Sequence, residues 1–266
     1  MRKLLVLAGL VLGACAAIPS SAPVAEVAPK GTLRVAVGVG PSPSPFWATR
    51  DASGRVQGVT VELGRAAAAR LGVPLQLVEY PNSGEITAAA SKDAWDLSFM
   101  PQDPEREKYV DTGPAYVVYE SSYLVRAGSD VRHTPEIDRA GVRVGAVQGT
   151  STSRTVMRLL KQAKLTTFPT ADAAFDALAH GNVDALGMGR DALTDFARKL
   201  PGTRLLDEVI QSTGVVVVVP KERPAARAWA ARFMEEAKAD GTVRRALDSA
   251  GFRDAAVAPP SPSTSR

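Results

Sequence analysis

The stretch GVRVGAVQGTSTS at residues 141–153 holds apolar and small residues through Val147, turns at Gln148-Gly149, and runs into hydroxyl-bearing residues suited to starting a helix. It reads as a strand over Val142–Val147 leading into a helix over Ser151–Gln162. The same order continues on its C-terminal side, with a strand at Thr166–Phe168, a helix at Ala171–Ala179 and a strand at Val183–Leu186. It also stands on the N-terminal side. There Thr32–Val39 is a β-branched strand, Val59–Leu71 a helix stopped by Gly72 and Pro74, Leu75–Val78 a strand, Ile86–Ala90 a helix and Asp96–Met100 a strand. Alternating strands and helices imply parallel sheets covered on both faces, so the chain holds two α/β units in tandem. Tyr116–Val125 is long enough to cross from one unit to the other. Further on, Val215–Val219 is a run of consecutive valines that fits a strand buried on both faces. That run returns the chain, and helices over Pro224–Ala237 and Thr242–Ala250 complete the first unit. The predicted fold is α/β with two lobes, two parallel-rich sheets flanked by helices and a hinge of two crossings. Lobe 1 takes residues 31–118 and 216–252, and lobe 2 takes residues 119–215.

The 266 residues, 45% of them hydrophobic, suffice for a core of this extent. At the N-terminus Arg2 and Lys3 precede apolar Leu4–Leu12 and the small residues Gly13 and Ala14. This is the pattern of an export signal over residues 1–14, and it is shorter than the roughly 20 residues a membrane span needs. Leu12-Gly13-Ala14-Cys15 resembles the lipobox at which bacterial lipoproteins are cleaved and acylated, which makes Cys15 the expected lipidation site. The alternative is cleavage at a nearby small residue with Cys15 discarded. Cys15 is the only cysteine, so an intramolecular disulfide is excluded. Residues 15–30, rich in Ala, Pro and Ser, read as an extended tether, and residues 253–266 as a disordered tail. The expected location is periplasmic or cell-surface, anchored to a membrane by lipid. Arg2 and Lys3 account for two of the formal charges in a net +4, and basic residues are dispersed among acidic ones. That balance argues against a nucleic-acid partner. His133 and His180 are far apart in polar segments, and the GxxxxGK phosphate loop is absent, so neither a metal nor a cofactor is expected.

The order of GTLRVAVGVG (31–40), DASGRVQGVTVELG (51–64), DPEREKYVDTGPAY (103–116), GVRVGAVQGTSTS (141–153) and LAHGNVDALGMGRDAL (178–193) resembles the bacterial extracellular solute-binding proteins, family 3, which serve polar amino-acid ABC transporters. The resemblance covers roughly residues 31–252 and identifies a divergent member with the two-lobed, type II periplasmic-binding-protein fold. It implies a monomer that captures a small carboxylate-bearing solute, an amino acid or a related organic acid, by closure of the lobes and docks on a membrane ABC permease. By its residues alone Arg106 reads more readily as a surface arginine paired with Glu105 or Glu107; the resemblance reverses that and makes it the guanidinium that grips the ligand carboxylate. Thr150 and Ser151 open a helix, and either caps it or, as the resemblance implies, contacts the carboxylate from the second lobe. Phe46 and Trp47 stand where the family often carries an aromatic against the ligand side chain, with core packing the alternative for Phe46.

Two departures bear on the ligand. The loop before Arg106 is short and lacks hydroxyls, leaving Gln102 and Asp103 as its polar side chains. The carboxylate that receives the ligand ammonium in the family falls at Gly189, beside Arg190. Asp191 is two places away and is expected to point elsewhere on a helix. Glu120, in the first crossing, is another anion within reach. A cleft with Arg106, Arg190 and a helix N-terminus favours a ligand with more than one negative group, or a carboxylate without an α-ammonium. The competing readings are a secreted dehydratase-like enzyme on the same scaffold, with Asp103 or Glu120 as general acid, and a ligand-sensing protein read by a membrane receptor. No catalytic residue is expected.

Overall fold

The computed structural model describes residues 22–39 and 44–261, so the expected export signal and the lipidation at Cys15 lie outside the described residues. In chain order the elements are α1 (Ala22–Val27), β1 (Leu33–Gly38), β2 (Thr49–Arg50), β3 (Val56–Gln57), α2 (Val59–Leu71), β4 (Leu75–Tyr80), α3 (Ser83–Ala88), β5 (Leu97–Pro101) and β6 (Val110–Val125). They continue with β7 (Arg143–Val147), α4 (Ser151–Leu159), β8 (Lys164–Phe168), α5 (Ala171–Ala179), β9 (Ala185–Gly189), α6 (Arg190–Lys199), β10 (Arg204–Leu205), β11 (Gln211–Pro220), α7 (Pro224–Ala239) and α8 (Thr242–Ser249).

The two lobes are built alike. β1 lies between β4 and β5, all parallel, and β7 lies between β8 and β9, all parallel. The first strand of each trio carries an arginine clipped to an aspartate that precedes the third. Arg34 donates its backbone N–H to Asp96 at 3.0 Å and its guanidinium to the same carboxylate at 2.9 and 2.7 Å. Arg143 does the same to Asp184 at 2.9, 3.0 and 2.7 Å. A planar fork on a carboxylate fixes the spacing of two strand ends, and here it does so once per lobe.

Two long strands join the lobes. β11 pairs antiparallel with β5 and with β6, while the far end of β6, Ser121–Val125, pairs antiparallel with β9. The order β4-β1-β5-β11-β6-β9-β7-β8, with β10 beside β6, therefore makes one continuous nine-stranded sheet. All five valines of the run at 215–219 are buried. Val215, Val217 and Val219 join the core that holds α2 and α7, and Val216 and Val218 the core under Ile86 and Trp95. Coverage of both faces is why this strand shows no polar alternation.

The ends differ from expectation. The stretch read as an extended tether contains α1, which packs on α7 and buries Val27 and Ala28. Arg223, the N-cap of α7, provides no side-chain acceptor, and Glu26 Oε2 takes its place, accepting the N–H groups of Ala225 at 2.7 Å and Ala226 at 3.2 Å. A carboxylate there satisfies open donors and the positive end of the helix. The stretch after residue 252 is also tied down: Val257 bridges to Val117, Ala258 N–H donates to the Tyr116 carbonyl at 2.8 Å, and Lys238 Nζ donates to the Pro259 carbonyl at 2.9 Å. Backbone pairing of this kind needs no apolar period, so Ala- and Pro-rich composition conceals it.

Candidate functional site

A cavity of about 150 Å³ lies between the lobes. The C-terminal ends of four strands open on it, through Gly38 of β1, Pro101 of β5, Val147 of β7 and Gly189 of β9. In sheets of parallel strands the crevice beyond those ends is where loops are free to meet a ligand. The lobes also touch one another around it. Asp103 receives Arg154 at 2.7 and 2.9 Å, and Asn82 Nδ2 donates to the Pro169 carbonyl at 2.9 Å. Asn82 caps α3 at the same time, its Oδ1 accepting from Gly84 and Glu85. Beside it Gly84 lies flat against Gly149, which holds φ +66°; a methyl group on Gly84 would stand 2.8 Å from the Gly149 Cα.

Arg106 sits in a single 3₁₀ turn, Arg106–Lys108, between β5 and β6, and only 1% of it is exposed. Its Nη1 donates to the Pro101 carbonyl at 3.0 Å and its Nη2 to Ser83 Oγ at 2.6 Å and, more weakly, to the Gly149 carbonyl at 3.4 Å. Its Nε has no partner, and among the described residues it forms no ion pair. Arg106 is not itself on the cavity wall but stands directly behind Ser83 and Pro101, which are. Burial, helped by the charge of Arg154, pushes its pKa down to about 9. A guanidinium enclosed without an anion is costly to the fold.

The corner around Gly189 explains the absence of an aspartate there. Ser121 of β6 pairs with Gly189 of β9, and Tyr119, two residues back on the same face, lays its ring over the glycine. A Cβ on Gly189 would coincide with the Tyr119 hydroxyl. The carboxylate of Asp191 fills the corner instead: Oδ1 accepts the Tyr119 hydroxyl at 2.5 Å, Oδ2 accepts the Ser44 hydroxyl, and Oδ1 lies 2.7 Å from where the Gly189 Cβ would be. The expectation that Asp191 points elsewhere is thus corrected. α6 starts immediately after β9, and its first turn swings Asp191 back into the corner. Burial, only partly offset by the Tyr119 hydrogen bond, raises the Asp191 pKa to about 6, and Asp195 one turn on adds to the rise. Burial beside Asp191 raises the Tyr119 phenol as well.

A raised carboxyl pKa means that the folded chain holds a proton which the unfolded chain has released between about pH 4 and pH 6, so stability falls as pH rises through that window. Asp191→Asn keeps the shape without the charge. It is expected to stabilise the unliganded protein by about 1–3 kcal/mol at pH 8 and to gain nothing below about pH 4. Urea unfolding at both pH values checks this; an equal effect at the two would refute it.

The other residues expected at the site divide. Trp47, Thr150 and Ser151 line the cavity. Thr150 caps α4, its hydroxyl accepting from Ser153 N–H at 3.1 Å and donating to the Val147 carbonyl at 2.8 Å. Phe46 is buried in the first-lobe core against Tyr119 and Phe252. Asp103 is buried but belongs to the clasp with Arg154 rather than to the cavity wall. Three placements are corrected. Gln102 is exposed and donates to Glu107, because the β5 end turns its side chain outward. Glu120 is exposed on the hinge strand, on the face opposite to Tyr119, where strand alternation puts it. Arg190 leaves the site altogether: its guanidinium donates to the carbonyls of Leu206 and Asp207, both at 3.1 Å. Sequence reading passed over Tyr119, Asn82 and Ser83. An Asn just ahead of a helix was a signal for the second of these, while the others are set by register between distant strands.

Over residues 35–250 the chain matches the family described as "Bacterial extracellular solute-binding proteins, family 3". It is 28% identical over 127 residues to a glutamine-binding protein of Geobacillus stearothermophilus, a match that covers 48% of this chain and spans only 45% of that protein's length. It is 23% identical over 243 residues to the ABC transporter glutamine-binding protein GlnH of Bacillus subtilis (strain 168), covering 87% of this chain and 89% of the relative. Among solved structures, a mutant of ArgBP from T. maritima superposes with a TM-score of 0.76 at 25% identity, covering 85% of this chain and 98% of the other.

Proposed function

The chain belongs to the bacterial extracellular solute-binding proteins of family 3, and from that premise we propose that it is the substrate-binding component of an ABC importer, capturing a small carboxylate-bearing solute between its lobes. Lobe 1 (31–118 with 216–252) closes on lobe 2 (119–215) about the two hinge strands, and the closed form docks on a membrane permease. Acylation of Cys15 would hold it at the membrane. The name of the Bacillus subtilis relative supports an ABC partner, and the glutamine in both relatives' names is a reason to try α-amino acids as solutes.

The observation that carries this reading is the buried, unpaired guanidinium of Arg106. With its Nε open and its Nη2 on Ser83, beside the N-terminus of α4, it awaits an anion at the cavity. A ligand carboxylate would join Ser83 and receive both the guanidinium and the first N–H groups of α4 near Ser151. With Arg190 turned to the Leu206 and Asp207 carbonyls, the reason to expect a second negative group on the ligand disappears. Neither acid considered for a dehydratase role lines the cavity, since Asp103 is ion-paired with Arg154 and Glu120 is exposed.

A thermal-shift screen of the purified protein against α-amino acids, monocarboxylates, dicarboxylates and amines tests the reading. A matching carboxylate at 100 times its dissociation constant stabilises by about 2.7 kcal/mol, while the decarboxylated amine of the same compound does not. An amine that stabilises as well as its parent acid would refute the role given to Arg106.

A further inference from the structure

Granting the reading above that the cavity takes a carboxylate-bearing solute, we propose that this solute is a zwitterionic α-amino acid with a branched aliphatic side chain, and that Asp191 faces its ammonium. The walls carry the first half of the inference. None of the described residues that line the cavity bears a charge, and the lining includes Val37, Ile86, Phe99, Val147, Met188 and Trp47.

The polar groups among the lining residues are largely committed to the protein. Thr60 Oγ1 donates to the Trp47 carbonyl at 2.7 Å, and Thr152 shares a hydrogen bond with Ser121 at 2.9 Å. Asn82 is occupied through both its oxygen and its nitrogen, and the Thr150 hydroxyl both donates and accepts. The Tyr119 hydroxyl donates to Asp191 and accepts from Trp47 Nε1 at 3.3 Å. A ligand side chain ending in an amide would find its donors and acceptors unanswered here, and one ending in a cation would be desolvated among apolar groups. An aliphatic side chain loses nothing of that kind and gains burial. At about 150 Å³ the space matches a cavity that accepts a molecule the size of benzene, which suits valine, leucine or isoleucine.

The second half comes from Asp191. Its carboxylate is bonded to two lining residues, Ser44 and Tyr119, neither of which neutralises it, and it occupies the corner that Tyr119 closes to any side chain at position 189. A site with a cation behind Ser83 and an anion behind Ser44 is matched by a ligand carrying both charges. The ammonium completes Asp191 as the carboxylate completes Arg106.

Calorimetric titration of the purified protein with valine, leucine, isoleucine, glutamine, lysine, arginine and the 2-oxo acids corresponding to the aliphatic three tests this. At least one aliphatic amino acid is expected to bind about 10-fold or more tighter than glutamine and about 100-fold or more tighter than lysine or arginine. It should also bind about 30-fold tighter than its own 2-oxo acid. A polar amino acid that equals the best aliphatic one overturns the proposal while leaving the carboxylate-binding function intact; failure of every carboxylate to bind overturns that function itself. Asp191→Asn is expected to shrink the preference for amino acid over oxo acid to within about 3-fold. If the variant stays folded and keeps the full preference, the assignment of the ammonium to Asp191 is wrong.

Discussion

Arg106→Ala is expected to weaken ligand binding by about 100-fold or more while the chain stays folded. Removing one member of a buried charge pair leaves the other charge enclosed without a partner, and the loss falls mainly on the bound state. In the unliganded protein the same substitution gives up the bonds to Pro101 and Ser83 but also a buried guanidinium without an ion pair and one unanswered N–H, so the binding loss exceeds the loss of stability. Arg106→Lys keeps a charge without the planar fork and should fall between, about 10-fold weaker than the parent. Arg190→Ala, whose side chain only meets the Leu206 and Asp207 carbonyls, is expected to bind within about 3-fold of the parent, as is usual for surface changes away from a site. Calorimetry on the three variants separates the readings: a loss at Arg190 comparable to that at Arg106 would return Arg190 to the cavity.

Gly84→Ala is expected to weaken binding by about 30-fold or more through a different route. Gly84 lies in the first turn of α3 with ordinary helical backbone, so within its own lobe alanine is the better helix former. The larger cost arises when the lobes meet, because the new methyl would stand 2.8 Å from the Gly149 Cα, a backbone atom that cannot step aside, whereas within its own lobe it crowds only the Asn82 side-chain oxygen at 2.9 Å. The clasp between Asp103 and Arg154 and the Asn82 bond to Pro169 lie on the same interface and would be strained with it. The variant should therefore keep its thermal stability without ligand, release ligand faster, and show a larger radius of gyration than the parent when both are saturated. An affinity equal to the parent's would mean that binding does not bring Gly84 against Gly149.

These two substitutions show what the sequence could and could not reveal. The repeated strand-then-helix order was legible because the inner parallel strands β1, β5, β7 and β9 are buried on two faces. Val59–Leu71 and Ala171–Ala179 came out with the boundaries the structure has, since Gly72, Thr170 and His180 mark their ends. The unbroken valines likewise announced a central strand. Arg106 was reached through its place after β5, but its lack of an ion pair, with nearby Asp103 turned to Arg154, is a fact of packing between β5, α3 and the opposite lobe. Position 189 is a glycine where the resemblance implies an aspartate. What replaces it was not legible, because the occupant of the corner depends on Tyr119 reaching across from the hinge strand and on α6 beginning directly at Arg190. A two-residue change in where a helix starts moves a carboxylate from solvent to the buried corner behind Ser44 and Tyr119, and no spacing rule fixes that start to better than a residue or two.

A crystal structure of the protein with its best-binding carboxylate soaked in or co-crystallised tests the arrangement most directly. The ligand carboxylate is expected within hydrogen-bond distance, about 2.7–3.2 Å, of the Arg106 guanidinium including its open Nε, with Thr150 and Ser151 on the other side. A ligand seated between the lobes while Arg106 stays bonded only to Pro101, Ser83 and Gly149 would contradict it.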